Sequence, residues 1–300
     1  MGGNTIIMEL NELNKKDRTL HWLKEHQQIN LSCIHCHEDL QLDINSLVCA
    51  NGHRFDMAKQ GYFFMAKKTT NTKYDTSLFS SRREIILNTE LYRPLHEYIG
   101  QYLKDNYSND VSMIDAGSGE GSHLWQMTRQ VEENQYSLIS VDLAKSAIQA
   151  ATDYNGHMLS MIADLAELPV ANHQLDIVLS IFSPSNYAEF ERILKPRGEL
   201  IKIIPNSGYL QEIRQALIDM NIGNIHPYSN EDVIDVFKTH YQNVTMKEIK
   251  ASQTLTSSQL EDLIVMTPLT WQLTEEERQT LLAKLNGVIT LDVTVLHGKL

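Results

Sequence analysis

Short apolar runs alternate with amphipathic segments along the chain after residue 110. The runs at 111–114, 137–142 and 174–182 have the length of buried strands, and 188–205 reads as a helix, a turn and a further strand. A last apolar run covers 287–298. Strands that alternate with helices predict an α/β fold, with a parallel sheet covered by helices on both faces.

The segment 31–72 has a different pattern, because its apolar positions are few and its cysteines are concentrated. All three cysteines of the 300 residues are Cys33, Cys36 and Cys49, and His53 follows the last of them. Two pairs of soft or borderline ligands at this spacing are typical of a tetrahedral zinc site. The alternating stretch between the pairs predicts a small hairpin, so we interpret the segment as a zinc ribbon. Four protein ligands leave no position for water, which indicates a structural metal.

The segment allows two other interpretations. Three buried free cysteines next to an unrelated histidine would need no metal, although strict spacing argues against that reading. His35 and His37 lie beside the first cysteine pair and would break the paired geometry, so we expect them to be exposed.

A glycine-rich turn follows the first strand of the α/β pattern. Gly117, Gly119 and Gly121 allow the backbone to approach a ligand closely and to turn into a helix whose N-terminus favours an anionic group. The dinucleotide-binding pattern would need a glycine at Ser122, which argues against NAD or FAD. Asp142 ends the next strand, where a carboxylate can accept hydrogen bonds from both ribose hydroxyls.

The stretch DAGSGEG followed by VD resembles the class I S-adenosylmethionine-dependent methyltransferases. The resemblance implies a Rossmann-like, doubly wound sheet, with the methionine end of the cofactor at the glycine turn, the ribose at Asp142 and the adenine at Asp164. Strand-end or capping acids are the alternative reading of both aspartates. The predicted cofactor-binding residues are Asp115, Gly117, Gly119, Gly121, Asp142, Asp164 and Leu165.

The order of the motifs is more specific than any one of them. From residue 31 the cysteine pairs are followed by HRFDMAKQGYFF, DAGSGEG, IFSPS, LKPRGEL and VMTPLTW. This order resembles the 23S rRNA (guanine-N1)-methyltransferases, some of which confer resistance to macrolide antibiotics. The resemblance implies S-adenosylmethionine and structural zinc as cofactors and 23S rRNA as the partner; a homodimer is left open.

The loop after the strand 174–182 contains Ser183, Pro184 and Ser185. Many enzymes that methylate exocyclic amines have an Asp/Asn-Pro-Pro-aromatic loop at this position, but here the loop has no carboxylate. We therefore assign these three residues to the edge of the substrate and name no general base. Trp271 is interpreted either as part of a guanine pocket or as a packed core residue.

Charge is unevenly distributed along the chain. The net charge is -12, yet residues 53–83 carry seven basic and two acidic side chains, whereas residues 84–300 carry 15 basic and 29 acidic ones. A local cationic segment is sufficient for phosphate contacts. The alternative is a solvated charged loop. Because no apolar run reaches about 18 residues, we expect a cytoplasmic protein without membrane spans.

These patterns divide the chain into four predicted parts. They are a helical N-terminal extension over 1–30, a zinc ribbon that binds RNA over 31–72, a linker and helix over 73–108, and a methyltransferase domain over 109–300. The favoured function is methylation of N1 of a guanine in a 23S rRNA hairpin. The alternatives are a small-molecule methyltransferase with a purely structural ribbon and a non-catalytic RNA-binding or ribosome-assembly factor.

Overall fold

The computed structural model describes residues 10, 12–68, 76–107, 110–129, 136–222 and 229–300. The strands are β1 Leu40–Asp43, β2 Ser46–Cys49, β3 Arg54–Asp56, β4 Phe63–Met65, β5 Val111–Ala116, β6 Tyr136–Asp142, β7 Met158–Ala163, β8 Leu175–Ile181, β9 Leu194–Pro205, β10 Asn243–Thr254 and β11 Val288–Lys299. The α-helices are α1 Lys15–Glu25, α2 Thr76–Asn88, α3 Arg93–Asn106, α4 Ser122–Thr128, α5 Lys145–Ala151, α6 Tyr187–Ile193, α7 Gln211–Asp219, α8 Glu231–His240, α9 Ser257–Met266 and α10 Glu275–Lys284.

The main sheet has eight strands in the order β10-β11-β9-β8-β5-β6-β7-β4. The six strands from β9 to β4 run parallel, and the residues of β5 and β7 are buried throughout. The predicted α/β fold is confirmed. The expectation of a wholly parallel sheet is wrong at one edge, where β11 pairs antiparallel with both β9 and β10. Hydrophobic pattern reports burial and does not report strand direction.

The helical segment before β5 also differs from its prediction. The segment 73–108 was expected to contain a linker and one helix, but it contains two helices: α2 ends at Asn88 and α3 begins at Arg93. Pro94 lies in the first turn of α3, where its missing N–H costs nothing, whereas the interior of a continuous helix would lose a hydrogen bond there. Among the described residues, no helix is both long and apolar enough to cross a membrane.

The cysteine-rich segment is packed against the main sheet. Strands β1, β2 and β3 form a three-stranded antiparallel sheet that contains the predicted hairpin. The Ser32 N–H donates to the Pro169 carbonyl at 3.2 Å, and β4 joins the main sheet beside β7. Because Phe63 of β4 is fully buried, it is part of the packed core and offers no stacking surface for bases.

The N-terminal helix α1 lies across the same junction. Its Trp22 is buried, and the Thr19 hydroxyl donates to the Gly61 carbonyl at 2.7 Å. Lys15 forms an ion pair with Asp153 at 2.6 Å, next to helix α5. Helix α1 therefore contacts both the segment before β4 and the main α/β unit.

A buried carboxylate ties helix α3 to the sheet. Glu199 of β9 accepts hydrogen bonds from the hydroxyls of Tyr102 and Tyr107 and from His297 Nδ1 of β11, the last at 2.7 Å. Burial by itself would raise the pKa of Glu199, but the bonds from His297, Tyr107 and Tyr102 lower it overall. The hydroxyls of Tyr102 and Tyr107 depend on this carboxylate for their hydrogen bonds, whereas His297 also contacts the Tyr98 hydroxyl through Nε2.

Replacing Glu199 with alanine should lower the free energy of unfolding by about 3 kcal/mol, since it leaves two half-buried hydroxyls and the buried His297 Nδ1 without an acceptor. Urea denaturation followed by circular dichroism measures this change. Glu97→Ala is the matched control, because Glu97 is an exposed residue of helix α3, which Glu199 ties to the sheet, and its surface ion pair contributes little. A loss below 1 kcal/mol for Glu199→Ala would contradict the role given to this network.

Candidate active site and metal centre

A cavity of about 740 Å³ opens at the carboxyl ends of the parallel strands. Its cofactor half is lined by residues that follow β5, β6 and β7, among them Gly117, Asp142 and Asp164. Its acceptor half is lined by residues that follow β8 and β9 and by the stretch from Met266 to Trp271. This edge of an open α/β sheet is where ligands bind in such folds, because the loops diverge there.

The glycine turn lies in direct contact with the loop after β8. Gly117 has a φ of 87°, and a Cβ atom there would lie 2.6 Å from the Ser183 Cβ. The Ser183 hydroxyl donates to the Ala116 carbonyl at 2.6 Å. A side chain at position 117 would therefore push the two halves of the cavity apart.

Two carboxylates line the cofactor half. Asp142 accepts hydrogen bonds from the backbone N–H groups of Gly119 at 2.9 Å and Ala144 at 2.8 Å, which fix its orientation. Asp164 accepts from the Ala166 N–H at 2.9 Å, and Leu165 lies beside it in the cavity wall. Acceptors at the ends of adjacent parallel strands fit the ribose hydroxyls and adenine amine of S-adenosylmethionine, and glycines leave room for its amino-acid end.

Two of the predicted cofactor residues lie behind the cavity wall. Asp115 is buried at the end of β5, and neither of its carboxylate oxygens has a hydrogen-bond partner among the described residues. Burial raises the pKa of Asp115 to about 7 although Arg82 opposes the shift. Gly121 has a φ of 79° and is the N-cap of helix α4, where an added Cβ would lie 3.2 Å from the Met158 sulfur. Both residues therefore support the glycine turn without lining the cavity.

The loop after β8 that contains Ser183, Pro184 and Ser185, here called the substrate loop, is held in place by a buried lysine. Lys202 of β9 donates to the Ser183 carbonyl at 3.0 Å, and burial lowers the pKa of its ammonium group to about 8. Ser183 and Pro184 line the cavity, whereas Ser185 lies outside its lining. The Ser183 hydroxyl is already bonded to Ala116, so Ser183 positions the loop and is not a proton acceptor.

Aromatic rings cover the acceptor half. Phe182 is 37% exposed and has a φ of 52°, an uncommon conformation for a bulky residue. Its ring centroid lies 5.1 Å from that of Tyr209, whose hydroxyl is 2.6 Å from the Tyr92 hydroxyl. Trp271 is 42% exposed and lines the same half, so the interpretation of Trp271 as a packed core residue is wrong.

Several residues of the cavity were not identified as site residues from the sequence. Arg82 was counted with the cationic segment, yet it lines the cavity and forms a buried ion pair with Glu120. Tyr209 and Arg214 follow β9 and also line the cavity. Their position just beyond the carboxyl end of a parallel strand was the signal that could have indicated them.

The four predicted metal ligands form one cluster. The ligand atoms of Cys33, Cys36, Cys49 and His53 all lie within 4.8 Å of one another. His53 Nδ1 is 3.5 Å from the Cys33 sulfur and 3.4 Å from the Cys49 sulfur, and the Cys36 and Cys49 sulfurs are 3.6 Å apart. Zinc–sulfur bonds of about 2.3 Å in a tetrahedron separate the sulfurs by roughly 3.8 Å, so this donor set fits Zn²⁺.

Local hydrogen bonds favour the thiolate form of one ligand. The Asn51 side chain and the Glu38 backbone lower the pKa of the Cys36 thiol to about 6. His35 and His37 are exposed and lie outside the cluster, as expected.

The cationic segment does not form a continuous surface. Arg54 pairs with Asp43 and Asp56, Lys67 with Glu167, and Arg83 with Asp153, in addition to the buried Arg82 pair. In the described part of the chain, Lys59 and Lys68 make no ion pair; Lys73 and Asp75 lie outside that part. Most of the segment's positive charge is thus neutralised within the protein.

The sheet, the cavity and the metal cluster define a class I S-adenosylmethionine-dependent methyltransferase with an N-terminal zinc ribbon. Residues 31–65 match the family model described as RlmA, N-terminal, and residues 113–198 match a methyltransferase domain model. Both matches agree with the regions that form the metal cluster and the cofactor half of the cavity.

Curated relatives give the more specific assignment. The chain is 34% identical over 258 residues to a Bacillus subtilis (strain 168) protein that carries the provisional name 23S rRNA (guanine-N(1)-)-methyltransferase YxjB, with 84% of this chain and 90% of that protein covered. It is 27% identical to the 23S rRNA (guanine(748)-N(1))-methyltransferase of Streptomyces fradiae, with 88% and 94% covered. The chain belongs to the 23S rRNA (guanine-N1)-methyltransferase family.

Replacing His53 with alanine should remove one of four metal ligands and release zinc to a competing chelator at a far lower chelator concentration than the unaltered protein requires. Metal analysis of the purified protein and a chelator titration measure this. His35→Ala is the matched control, because His35 is exposed and close to the cluster without belonging to it. Equal zinc retention by both variants would exclude His53 as a ligand.

Replacing Gly117 with alanine should weaken S-adenosylmethionine binding at least 10-fold, measured by calorimetry, because the new methyl group would meet Ser183. Gly52→Ala separates this clash from backbone strain, since Gly52 has a φ of 82° but no atom within 4 Å of an added Cβ. We expect unchanged cofactor affinity in Gly52→Ala. Tight cofactor binding by Gly117→Ala would contradict the close approach of the two halves.

Proposed function

We propose that this protein transfers a methyl group from S-adenosylmethionine to N1 of a guanine in 23S rRNA, with zinc held by Cys33, Cys36, Cys49 and His53. The observation that carries the proposal is the single cavity that joins a glycine-turn cofactor half to an aromatic acceptor half. Family membership supports the substrate class. The small-molecule alternative is not favoured, and the formed cavity argues against a non-catalytic factor.

The acceptor half suits an extruded base. Guanine N1 lies on the Watson–Crick edge, so the base must leave its pair and its stack before N1 is accessible. The exposed rings of Phe182 and Trp271 can stack on such a base, an interaction worth about 1–3 kcal/mol per base. The unusual backbone conformation of Phe182 presents its ring to the cavity, and conformations of this kind cluster at functional sites.

Alignment is the main contribution of the protein in this proposal. When bound, S-adenosylmethionine supplies the methyl group from its sulfonium: the sulfur–carbon bond breaks as the carbon–N1 bond forms, S-adenosylhomocysteine leaves, and the N1 proton goes to water. Asp142 and Asp164 orient the cofactor half, while Ser183 and Lys202 hold the substrate loop against the glycine turn. Fixing donor and acceptor in line removes a large part of the barrier.

The zinc ribbon is proposed to contact the RNA. Since several cations of its segment are neutralised internally, we assign phosphate contacts to Lys59 and Lys68, which are exposed. The substrate implies a cytoplasmic location, and three cysteines that form no disulfide agree with a reducing compartment. A homodimer and the division of the chain at residues 31, 73 and 109 remain predictions.

Incubation with labelled S-adenosylmethionine and 23S rRNA that lacks its own modification should give one methylated guanine, identified by mass spectrometry as 1-methylguanosine. We expect transfer to fall as salt rises, because phosphate contacts release counterions. Label on a small acceptor, on another base atom or on no RNA at all would exclude the proposed function.

Replacing Cys36 with serine should abolish RNA binding and leave cofactor affinity nearly unchanged, because the metal stabilises the ribbon while the cofactor half is built on β5–β7. Gel-shift assays and calorimetry measure the two affinities. Ser32→Ala is the matched control, because Ser32 lies within the ribbon but outside the cluster, and its bond to Pro169 comes from the backbone N–H, which the substitution keeps. Unchanged RNA affinity in Cys36→Ser would refute the assigned role of the ribbon.

A further inference from the structure

We infer that Arg214 reads the O6 and N7 atoms of the target guanine and stabilises the negative charge that forms on O6 when N1 loses its proton. This inference rests on the proposed function and identifies the residue that selects guanine and activates its N1. It also accounts for a substrate loop that contains no carboxylate base.

Arg214 is held in the wall of the acceptor half. It lies on α7, and its Nε–H donates to the Tyr209 carbonyl at 3.2 Å, which restricts the orientation of the guanidinium group at the cavity lining. The start of α7 is fixed to β11, because the Leu210 N–H donates to the Thr290 carbonyl and Glu212 accepts from the Thr290 hydroxyl at 2.6 Å. The position of Arg214 is therefore set by the sheet.

The functional groups of guanine match a guanidinium. O6 and N7 are adjacent acceptors, and arginine contacts this pair through two parallel N–H groups. Adenine has an amino group in place of O6, so it would present a hydrogen-bond donor to a guanidinium that is itself a donor. Arg214 lines the same cavity as Phe182 and Trp271, so the edge of a base stacked on either ring can meet its guanidinium group.

The other titratable groups of this half are poor proton acceptors. Burial lowers the pKa of His123 well below its usual value and raises the pKa of Tyr92 and of Tyr209. Arg82 is a cation, and among the described residues the carboxylates of the cavity lie in the cofactor half. When N1 releases its proton to water, charge moves to O6, and a fixed cation there favours the reactive form.

The inference is tested with RNA in which the mapped target is guanine, inosine or 7-deazaguanine. The unaltered protein should methylate guanine and inosine at similar rates, since both have O6 and N7, and 7-deazaguanine roughly 10-fold more slowly. Arg214→Ala should lose about 100-fold with guanine in single-turnover rate and show no further loss with 7-deazaguanine. The single-turnover rate of Arg214→Ala should reach its plateau at a higher pH than that of the unaltered protein, because the negative charge on O6 is no longer stabilised.

Arg214→Lys separates charge from geometry: it should recover the pH profile but not the discrimination against 7-deazaguanine. Arg93→Ala removes an exposed arginine and should match the unaltered protein in every assay. Thermal stability and cofactor affinity of Arg214→Ala should be unchanged. If Arg214→Ala still discriminates against 7-deazaguanine while the unaltered protein makes 1-methylguanosine, the inference is wrong and the proposed function stands. Absence of 1-methylguanosine from the unaltered protein overturns both.

Discussion

The glycine turn after β5 and the loop after β8 approach so closely at Gly117 and Ser183 that no side chain fits between them, and the arrangement of the cavity depends on this contact. One side of the contact carries the groups that suit a cofactor, and the other carries the rings that suit a base. The Ser183 hydroxyl bond to Ala116 and the Lys202 bond to the Ser183 carbonyl fix the two sides together. The positions of the methyl donor and of the base that accepts the methyl group are consequently determined by the backbone, because the backbone deforms less than side chains do.

Burial affects which charged residues near the cavity are paired and how they titrate. Arg82 is paired with Glu120 behind the turn, and it also counteracts the effect of burial on Asp115. Within the described residues, the acceptor half is lined by Arg214 and aromatic rings, while the carboxylates of the cavity lie in the cofactor half. A cofactor that carries positive charge and a base that develops negative charge are suited to opposite halves of one cavity.

The ribbon and the catalytic unit share a hydrophobic core even though each has its own chemistry. Leu31, Leu47 and Phe55 pack in the same cluster as residues of β5, β6 and β7. A small metal-binding unit has little core of its own, and packing against a large sheet adds burial that the metal alone cannot supply. This packing also fixes the position of the ribbon relative to the edge of the sheet that β4 occupies.

Close spacing in the sequence determined the features that depend on neighbouring residues. Cys33 and Cys36 share one tight turn, and the glycine turn follows its strand directly, so the metal cluster and the cofactor half were predictable. Strands β5, β6, β8, β9 and β11 were predictable as well, because burial on both faces produces continuous apolar runs. In each case the relevant contacts span few residues or depend on hydrophobicity alone.

Tertiary structure decided which distant residues meet. Arg82 and Arg214 come from helices far apart in sequence, yet both line the cavity, and the antiparallel pairing of β11 could not be read from its apolar pattern. Packing also paired several cations of the basic segment with acids such as Asp153 and Glu167. The physical reason is that long-range contacts depend on how whole elements pack, a property that no local spacing encodes.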